Sequence, residues 1–138
     1  MPARDLIHDA VKTALENDGW TITHDPYRID VDELHGLIDI GAERSLAAQK
    51  GIKKIAVEIK SFVGLSVMAD LHQAIGQYKL YELLLNRAEP DRRLYLAISE
   101  DVFLNVFSSA IGETILEDLN IHVVVVALNS QQVVQWTD

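Results

Sequence analysis

A glutamate and a lysine interrupt an otherwise apolar segment, IAVEIKSF, at residues 55–62. Side chains two residues apart on a β-strand point to the same face, so Glu58 and Lys60 project together while the alternating apolar residues point into the core. A buried charge is costly unless it has a partner. Alone, the pattern is equally consistent with a solvent-exposed strand face whose ion pair contributes little energy.

A second carboxylate, Asp39, lies in the preceding apolar stretch, LIDI. The alternation predicts two strands, residues 34 to about 48 and residues 52–62, which form a β-hairpin around residues 49–51. Paired residues of antiparallel strands share a face. The hairpin therefore gathers carboxylates beside Lys60.

The position of the turn decides which of these side chains face each other. A turn at residues 50–51 places Glu43 opposite Glu58. A turn one residue earlier places Asp39 opposite Lys60. The sequence leaves both registers open. Directly opposed like charges destabilise a sheet, and a divalent cation between them would remove that conflict.

Carboxylates that share a strand face suit a hard cation. Mg²⁺ takes one or two carboxylates and completes its shell with water and substrate phosphate. Asp39 and Glu58 fit this role, with the backbone carbonyl of Ile59 as a third ligand. Lys60 would then orient an attacking water or lower its pKa, and neutralise charge on the phosphate. The expected cofactor is Mg²⁺ or Mn²⁺, and the expected chemistry is phosphodiester hydrolysis.

A helix predicted from about residue 67 to residue 86 carries three further candidates at a spacing of four: Gln73, Gln77 and Tyr81. They form one stripe on the flank of the apolar face. Amides in such a position require hydrogen-bond partners. The partner would be a metal-bound water, Lys60 or a phosphate, or alternatively the backbone, and the sequence does not choose among them.

Other polar residues near these segments have weaker signals. Glu16, near the end of the first helix, is either a further acid of the metal site or a solvated residue. His24 and His35 lack the spacing of a histidine metal site and are predicted to be ordinary surface or strand-end residues. The hairpin is locally basic and is the best candidate for a phosphate-contacting patch, although exposed lysines also protect edge strands. Its cations are Arg44, Lys50, Lys53, Lys54 and Lys60.

The elements that must position these residues alternate between helices and strands. Residues 6–15 have the spacing of one buried helical face, and Gly19 is predicted to end that helix. Strands are predicted at 20–24, 93–99, 121–128 and 133–136, and a helix at 102–119. The order α-β-β-β-α-β-α-β-β predicts an α/β (α+β) fold, a mixed sheet flanked by helices in one domain over residues 1–138.

Composition limits the function classes. Twelve Lys and Arg stand against twenty-one Asp and Glu, which gives a net charge of −9. General electrostatic attraction to a polyanion is therefore excluded, and nucleic-acid binding requires a local basic patch, a cation or a partner chain. The absence of cysteine excludes disulfides and thiolate metal sites. No apolar segment has the length of a signal core or membrane span, so the cytoplasm is the expected location.

The candidate residues resemble a known nuclease pattern. Ile38-Asp39 followed on the next strand by Glu58-Ile59-Lys60 resembles the PD-(D/E)XK superfamily, with Ile38 where the family name has proline. The order α-β-β-β-α-β resembles its restriction-endonuclease-like core over roughly residues 3–100. The segment QYKLY, residues 77–81, resembles the Q-x-x-x-Y element of RecB-like members. The resemblance implies a metal-dependent deoxyribonuclease.

Two longer segments resemble a particular family. ALENDGWTITHDPY, residues 14–27, and IDIGAERSLAAQKGIKKIAVEIKSF, residues 38–62, are similar to the XisH family of fdxN element excision controlling factors. This resemblance implies a role in site-specific recombination that removes a DNA element, alongside a recombinase and a small XisI-like partner. A requirement for excision does not establish that such a protein cuts DNA.

Two hypotheses follow. The chain is either a metal-dependent endonuclease acting on DNA, or a non-catalytic module that recruits a recombinase or an XisI-like protein. The last two predicted strands either extend the sheet, which is the simpler interpretation, or form the edge of a homodimer.

Overall fold

The computed structural model describes residues 3–46 and 51–137. Helix α1 (Ala3–Asn17) opens the chain. Its buried side chains include Val11, Ala14 and Leu15, and Gly19 follows with a φ of +98° that favours glycine. The predicted helix terminator is therefore confirmed.

Five strands follow before the long helix: β1 (Thr21–His24), β2 (Tyr27–Val31), β3 (Leu34–Ile38), β4 (Ile40–Leu46) and β5 (Gly51–Ile59). The remaining elements are α2 (Val67–Ala88), β6 (Arg92–Ser99), α3 (Glu100–Val102), a π-helical turn (Phe103–Phe107), α4 (Ala110–Asp118), β7 (Val123–Ala127) and β8 (Gln132–Trp136). None of the helices in the described ranges is long and apolar enough to cross a membrane.

Six strands form one mixed sheet in the order β1-β4-β5-β6-β7-β8. The pairs β5–β6 and β6–β7 are parallel, and the pairs at both ends of the sheet are antiparallel. One apolar core lies between the sheet and α1, and a second lies on the side of α2 and the β2–β3 hairpin. The predicted α+β fold with a mixed sheet flanked by helices is thus confirmed, and β7 and β8 extend that sheet.

The predicted strand from residue 34 to about residue 48 was wrong in its continuity. The chain breaks at Asp39, and β3 pairs with β2 in a separate two-stranded sheet, while β4 joins the main sheet. The two residues between Val31 and Leu34 make the turn, with Asp32 at a φ of 52°, a conformation that Asp tolerates. Residues 47–50 of the predicted hairpin, including Gln49 and Lys50, lie outside the described residues.

The predicted helix over residues 102–119 is also divided. Ser109 accepts a hydrogen bond from the Gly112 amide at 3.1 Å and so caps a new helix, α4. Gly112 is required there, because a Cβ would lie 2.4 Å from the Val106 carbonyl oxygen. A close packing of α4 against the π-helical turn replaces the continuous helix.

Candidate functional site

A cavity of about 700 Å³ opens where hairpin β2–β3 and the end of β5 meet α2. It collects most of the residues predicted to act together, from three separate segments of the chain. Those that line it are Asp39, Glu58, Ile59, Lys60, Gln73, Gln77 and Tyr81.

The two carboxylates are buried, with exposed fractions of 3% for Asp39 and 8% for Glu58. Asp39 Oδ2 accepts a hydrogen bond from the Ile59 amide at 2.8 Å, and Glu58 Oε1 accepts one from the Asp39 amide at 3.3 Å. Each carboxylate therefore binds the backbone of the neighbouring segment. The interpretation that Glu58 lies on a solvent-exposed strand face is wrong. Helix α2 covers this face of the sheet, and α1 covers the other.

The strand register explains the approach of the two acids. Ile40 pairs with Val57 and Glu43 pairs with Lys54, so continuing this register by one step brings Asp39 alongside Glu58. Both registers offered by the sequence were wrong. The observed register is a third one, in which Leu46 pairs with Gly51.

Lys60 lies just beyond β5, where its amide donates to the Ala97 carbonyl at 3.1 Å. Its ammonium donates to Gln73 Oε1 and lies 3.5 Å from Asp70 Oδ1. Of the partners left open for the amide stripe on α2, Lys60 is therefore the one that Gln73 binds.

Asp70 is a site residue that sequence reasoning missed. Its carboxylate is buried, and Oδ2 accepts a hydrogen bond from the Gly64 amide at 3.1 Å. In the sequence it is an acid in the first turn of a helix capped by Ser66, a position where Asp is favourable for the helix dipole alone. No local signal distinguishes it from a solvated residue.

The hairpin β2–β3 adds Arg28 and His35 to the cavity wall. Asp30 joins them, 2.9 Å from Arg28 Nε and 2.7 Å from His35 Nδ1. Hydrogen bonds from Arg28 and then His35 hold the pKa of the Asp30 carboxyl below its ordinary value. Because β2 was not predicted, there was no reason to assign Arg28 to the site. His35 is a surface residue as expected, yet it lines the cavity, whereas His24 contacts the Tyr27 ring.

Two predicted acids lie elsewhere. Glu43 is four residues from Asp39 along β4, or about 13 Å, and its Oε2 lies 3.5 Å from Arg92 Nη2. Glu16 is exposed near the end of α1 and does not line the cavity. Neither residue joins the carboxylate pair.

The predicted basic patch is not assembled among the described hairpin residues. Arg44 and Lys53 pair across β4 and β5 and share one face, whereas Lys54 lies on the other. Arg44 stacks on the Trp20 ring at 4.5 Å and binds Asp18, and Lys54 Nζ lies 3.2 Å from Glu89 Oε2. Of the described hairpin cations only Lys60 reaches the cavity, and Lys50 lies outside the described residues.

A divalent cation fits the donor set of the cavity. Asp39 and Glu58 are buried oxygen donors on adjacent segments, with Ile59 beside them at the cavity wall. Within residues 3–46 and 51–137 no group of three or more His, Cys, Asp or Glu is arranged to hold a metal. Two carboxylates are sufficient for Mg²⁺, which keeps several water or phosphate ligands.

The fold and the cavity define a mixed α+β protein with a buried carboxylate pair and a lysine at the end of its central strands. The family model described as XisH protein matches residues 1–134. The chain therefore belongs to the XisH family, as the sequence resemblance indicated.

Two solved structures support the assignment. An XisH family protein from Nostoc punctiforme PCC 73102 is 33% identical, with a TM-score of 0.88, and the match covers 97% of this chain and 100% of that one. An fdxN element excision controlling factor protein from Anabaena variabilis is 37% identical, with a TM-score of 0.88, and the match covers 98% of this chain and 100% of that one. The comparison with curated proteins gives no match.

Proposed function

We propose that this chain is a DNA-acting accessory factor for site-specific excision of a DNA element, and that its cavity is a metal-dependent endonuclease site of the PD-(D/E)XK type. The observation that carries the proposal is the convergence of two buried carboxylates and a lysine in one cavity. These residue types are those that hold a hard cation and neutralise a phosphate.

Asp39 and Glu58, with the Ile59 carbonyl, would hold Mg²⁺ or Mn²⁺. When bound, the cation supplies Lewis acidity to the phosphate and its attacking water. In hydrolysis the water oxygen bonds to phosphorus, one P–O ester bond breaks, and the leaving oxygen takes up a proton. The Lys60 ammonium stabilises the negative charge that develops on the phosphate. Gln73 accepts a hydrogen bond from this ammonium and so holds it at the cavity.

The link to excision comes from the relatives. The Anabaena variabilis protein is described as an fdxN element excision controlling factor, and this chain matches it over 98% of its length at 37% identity. The same role in this chain would place it beside a recombinase and an XisI-like protein, which would bring it to its DNA.

A nuclease assay on supercoiled and branched DNA with Mg²⁺ or Mn²⁺ tests the catalytic part. We expect the wild type to cleave and Lys60→Ala to be slower by about 100-fold or more. Lys53→Ala, at an exposed β5 position outside the cavity, is the matched control and should keep wild-type activity. Equal rates for the wild type and Lys60→Ala would refute the catalytic proposal.

Calorimetry provides a test that does not depend on finding the substrate. Asp39→Asn keeps an oxygen that can accept from the Ile59 amide but removes the charge that would bind the cation. We expect it to weaken Mg²⁺ binding by at least tenfold. Equal Mg²⁺ affinities of the two proteins would argue against a metal site at Asp39.

A second function is favoured by the charge distribution. The net charge of −9 and the pairing of hairpin cations with acids weaken intrinsic attraction to DNA. A non-catalytic module that recruits an XisI-like protein or a recombinase requires no such attraction. Co-purification with that partner, undiminished in Asp39→Asn, would support this function. Homodimerisation through the edge strand β8 stays a prediction.

A further inference from the structure

Several of the described cations of this acidic protein are paired away from the cavity. Lys12, Lys54, Lys79 and Arg92 lie within 3.0, 3.2, 3.1 and 2.9 Å of carboxylate oxygens outside it. The Lys and Arg side chains among the described cavity-lining residues are Arg28 and Lys60. The side chain of Lys60 is 16% exposed and that of Arg28 is 69% exposed. Of these two cations, Arg28 is therefore the one that is open to solvent at the cavity.

Arg28 belongs to a strand face with a distinct composition. The register pairs Arg28 with Leu37 and Asp30 with His35, so these four side chains share the outer face of hairpin β2–β3, and all four are exposed. The face combines a guanidinium, an imidazole, an apolar side chain and the carboxylate of Asp30, which contacts the first two. Guanidinium groups bind phosphate with two N–H donors, and histidine rings stack on unpaired bases.

The hairpin is held firmly enough to present this face. Its inner side chains Ile29 and Ile38 are buried in the core that includes α2. Gly36 lies so close to Tyr81 that a Cβ would be 2.8 Å from the ring. The Tyr27 hydroxyl donates to Glu89 Oε1 at 2.6 Å. The outer face is thus a fixed wall of the cavity.

We infer that the outer face of hairpin β2–β3 is a DNA-contacting surface, on which Arg28 binds a backbone phosphate next to the one that enters the cavity. The inference rests on the proposed function, because it takes the cavity ligand to be a DNA strand. Asp30 orients the Arg28 guanidinium, but its carboxylate also repels the phosphate. Arg28 should therefore raise the affinity for DNA and Asp30 should lower it.

Fluorescence anisotropy with labelled single-stranded and duplex oligonucleotides tests this surface. Phosphorothioate linkages, which resist hydrolysis, allow binding to be measured in the presence of Mg²⁺. We expect Arg28→Gln to weaken binding about 5- to 10-fold and to reduce the slope of log K against log salt by about one phosphate contact. Arg28→Lys should restore most of the slope, because it keeps the charge. Asp30→Asn should strengthen binding.

Arg87→Gln is the matched control, since Arg87 is exposed on α2 and does not line the cavity. Equal effects of Arg28→Gln and Arg87→Gln would overturn the inference, as would a wild type that binds none of the oligonucleotides. Cleavage is scored in a separate assay. Binding that depends on Arg28 in a protein that never cleaves would support the inference and refute the catalytic proposal. Cleavage with unchanged binding by Arg28→Gln would refute the inference alone.

Discussion

Lys60 Nζ lies 3.5 Å from Asp70 Oδ1, and the exposed fractions of these two side chains are only 16% and 12%. The other oxygen of Asp70 accepts from the Gly64 amide at 3.1 Å. Asp70 thus joins the cavity lysine to the loop that follows β5. A lysine side chain is flexible, so this pair fixes an ammonium that would otherwise sample many positions.

Asp70→Asn should therefore reduce nuclease activity, although Asp70 acts through Lys60 and does not contact the substrate itself. Asn can still accept from Gly64 but no longer attracts Lys60, so we expect kcat to fall about 10- to 100-fold with a smaller change in KM. Asp70→Glu, which restores the charge, should recover part of the loss. Asp91→Asn, an exposed acid outside the cavity, serves as the control. Unchanged kinetics in Asp70→Asn would show that the ion pair has no positioning role.

Metal binding should stabilise the folded protein. A ligand that binds only the folded state at 100 times its Kd adds about 2.7 kcal/mol to the free energy of unfolding. We expect Mg²⁺ to raise the Tm of the wild type, and EDTA to reverse the rise. Asp39→Asn should lose the effect, whereas Asp30→Asn, an acid of the hairpin outside the carboxylate pair, should keep it. An equal rise in both variants would place the cation elsewhere.

Local periodicity was sufficient to predict several of the side chains that line the cavity but not their full surroundings. The alternation around Glu58 and the spacing of Gln73, Gln77 and Tyr81 depend on one strand and one helix, and these residues do line one cavity. The register of β4 against β5 depends on the position of the turn between them, which the sequence leaves open. Asp70 reaches Lys60 only through tertiary packing, which no local pattern reports.

The missed hairpin did have a signal. Tyr27-Arg-Ile-Asp-Val31 alternates apolar and polar residues, and two acidic residues then precede a second short strand. Pro26 interrupts the alternation of the predicted strand 20–24, although β2 begins at the next residue. Because Arg28 and His35 lie on this hairpin, the same omission removed them from the predicted site.

Glu89 should make stability depend on pH. Hydrogen bonds from Arg92, and then from Tyr27 and Lys54, lower the pKa of its carboxyl from 4.5 to about 2 despite partial burial. Since the folded pKa is depressed, the stabilisation is complete above about pH 4.5 and is lost as the pH falls toward 2. For a side chain that is 27% exposed we expect a contribution of about 2 kcal/mol.

Urea unfolding of the wild type and Glu89→Gln from pH 7 to pH 3 measures this contribution. The variant should be less stable by about 2 kcal/mol at pH 7, and the difference should fall to about half of that at pH 3. Glu33→Gln, at the exposed tip of hairpin β2–β3, should follow the wild type at every pH. A constant difference between wild type and Glu89→Gln across this range would mean that the depressed pKa does not contribute.

Two glycines should respond to alanine in opposite directions. A Cβ on Gly36 would lie 2.8 Å from Tyr81 Cε1, so Gly36→Ala must displace the ring or the hairpin, and we expect a loss of about 1–3 kcal/mol in the free energy of unfolding. A Cβ on Gly76, within α2, would meet nothing within 4 Å. Gly76→Ala should therefore stabilise the protein by about 0.5–1 kcal/mol, because it removes backbone freedom from the unfolded chain.

The same two variants test whether the contact with Tyr81 fixes hairpin β2–β3 at the cavity. If hairpin β2–β3 is fixed by its contact with Tyr81, Gly36→Ala should also weaken DNA binding, since Arg28 moves with the hairpin. Gly76→Ala should bind as the wild type does while unfolding at higher urea concentration. A Gly36→Ala protein with wild-type stability would show that the ring yields without cost. The close approach of β3 to α2 would then not be what holds Arg28 at the cavity.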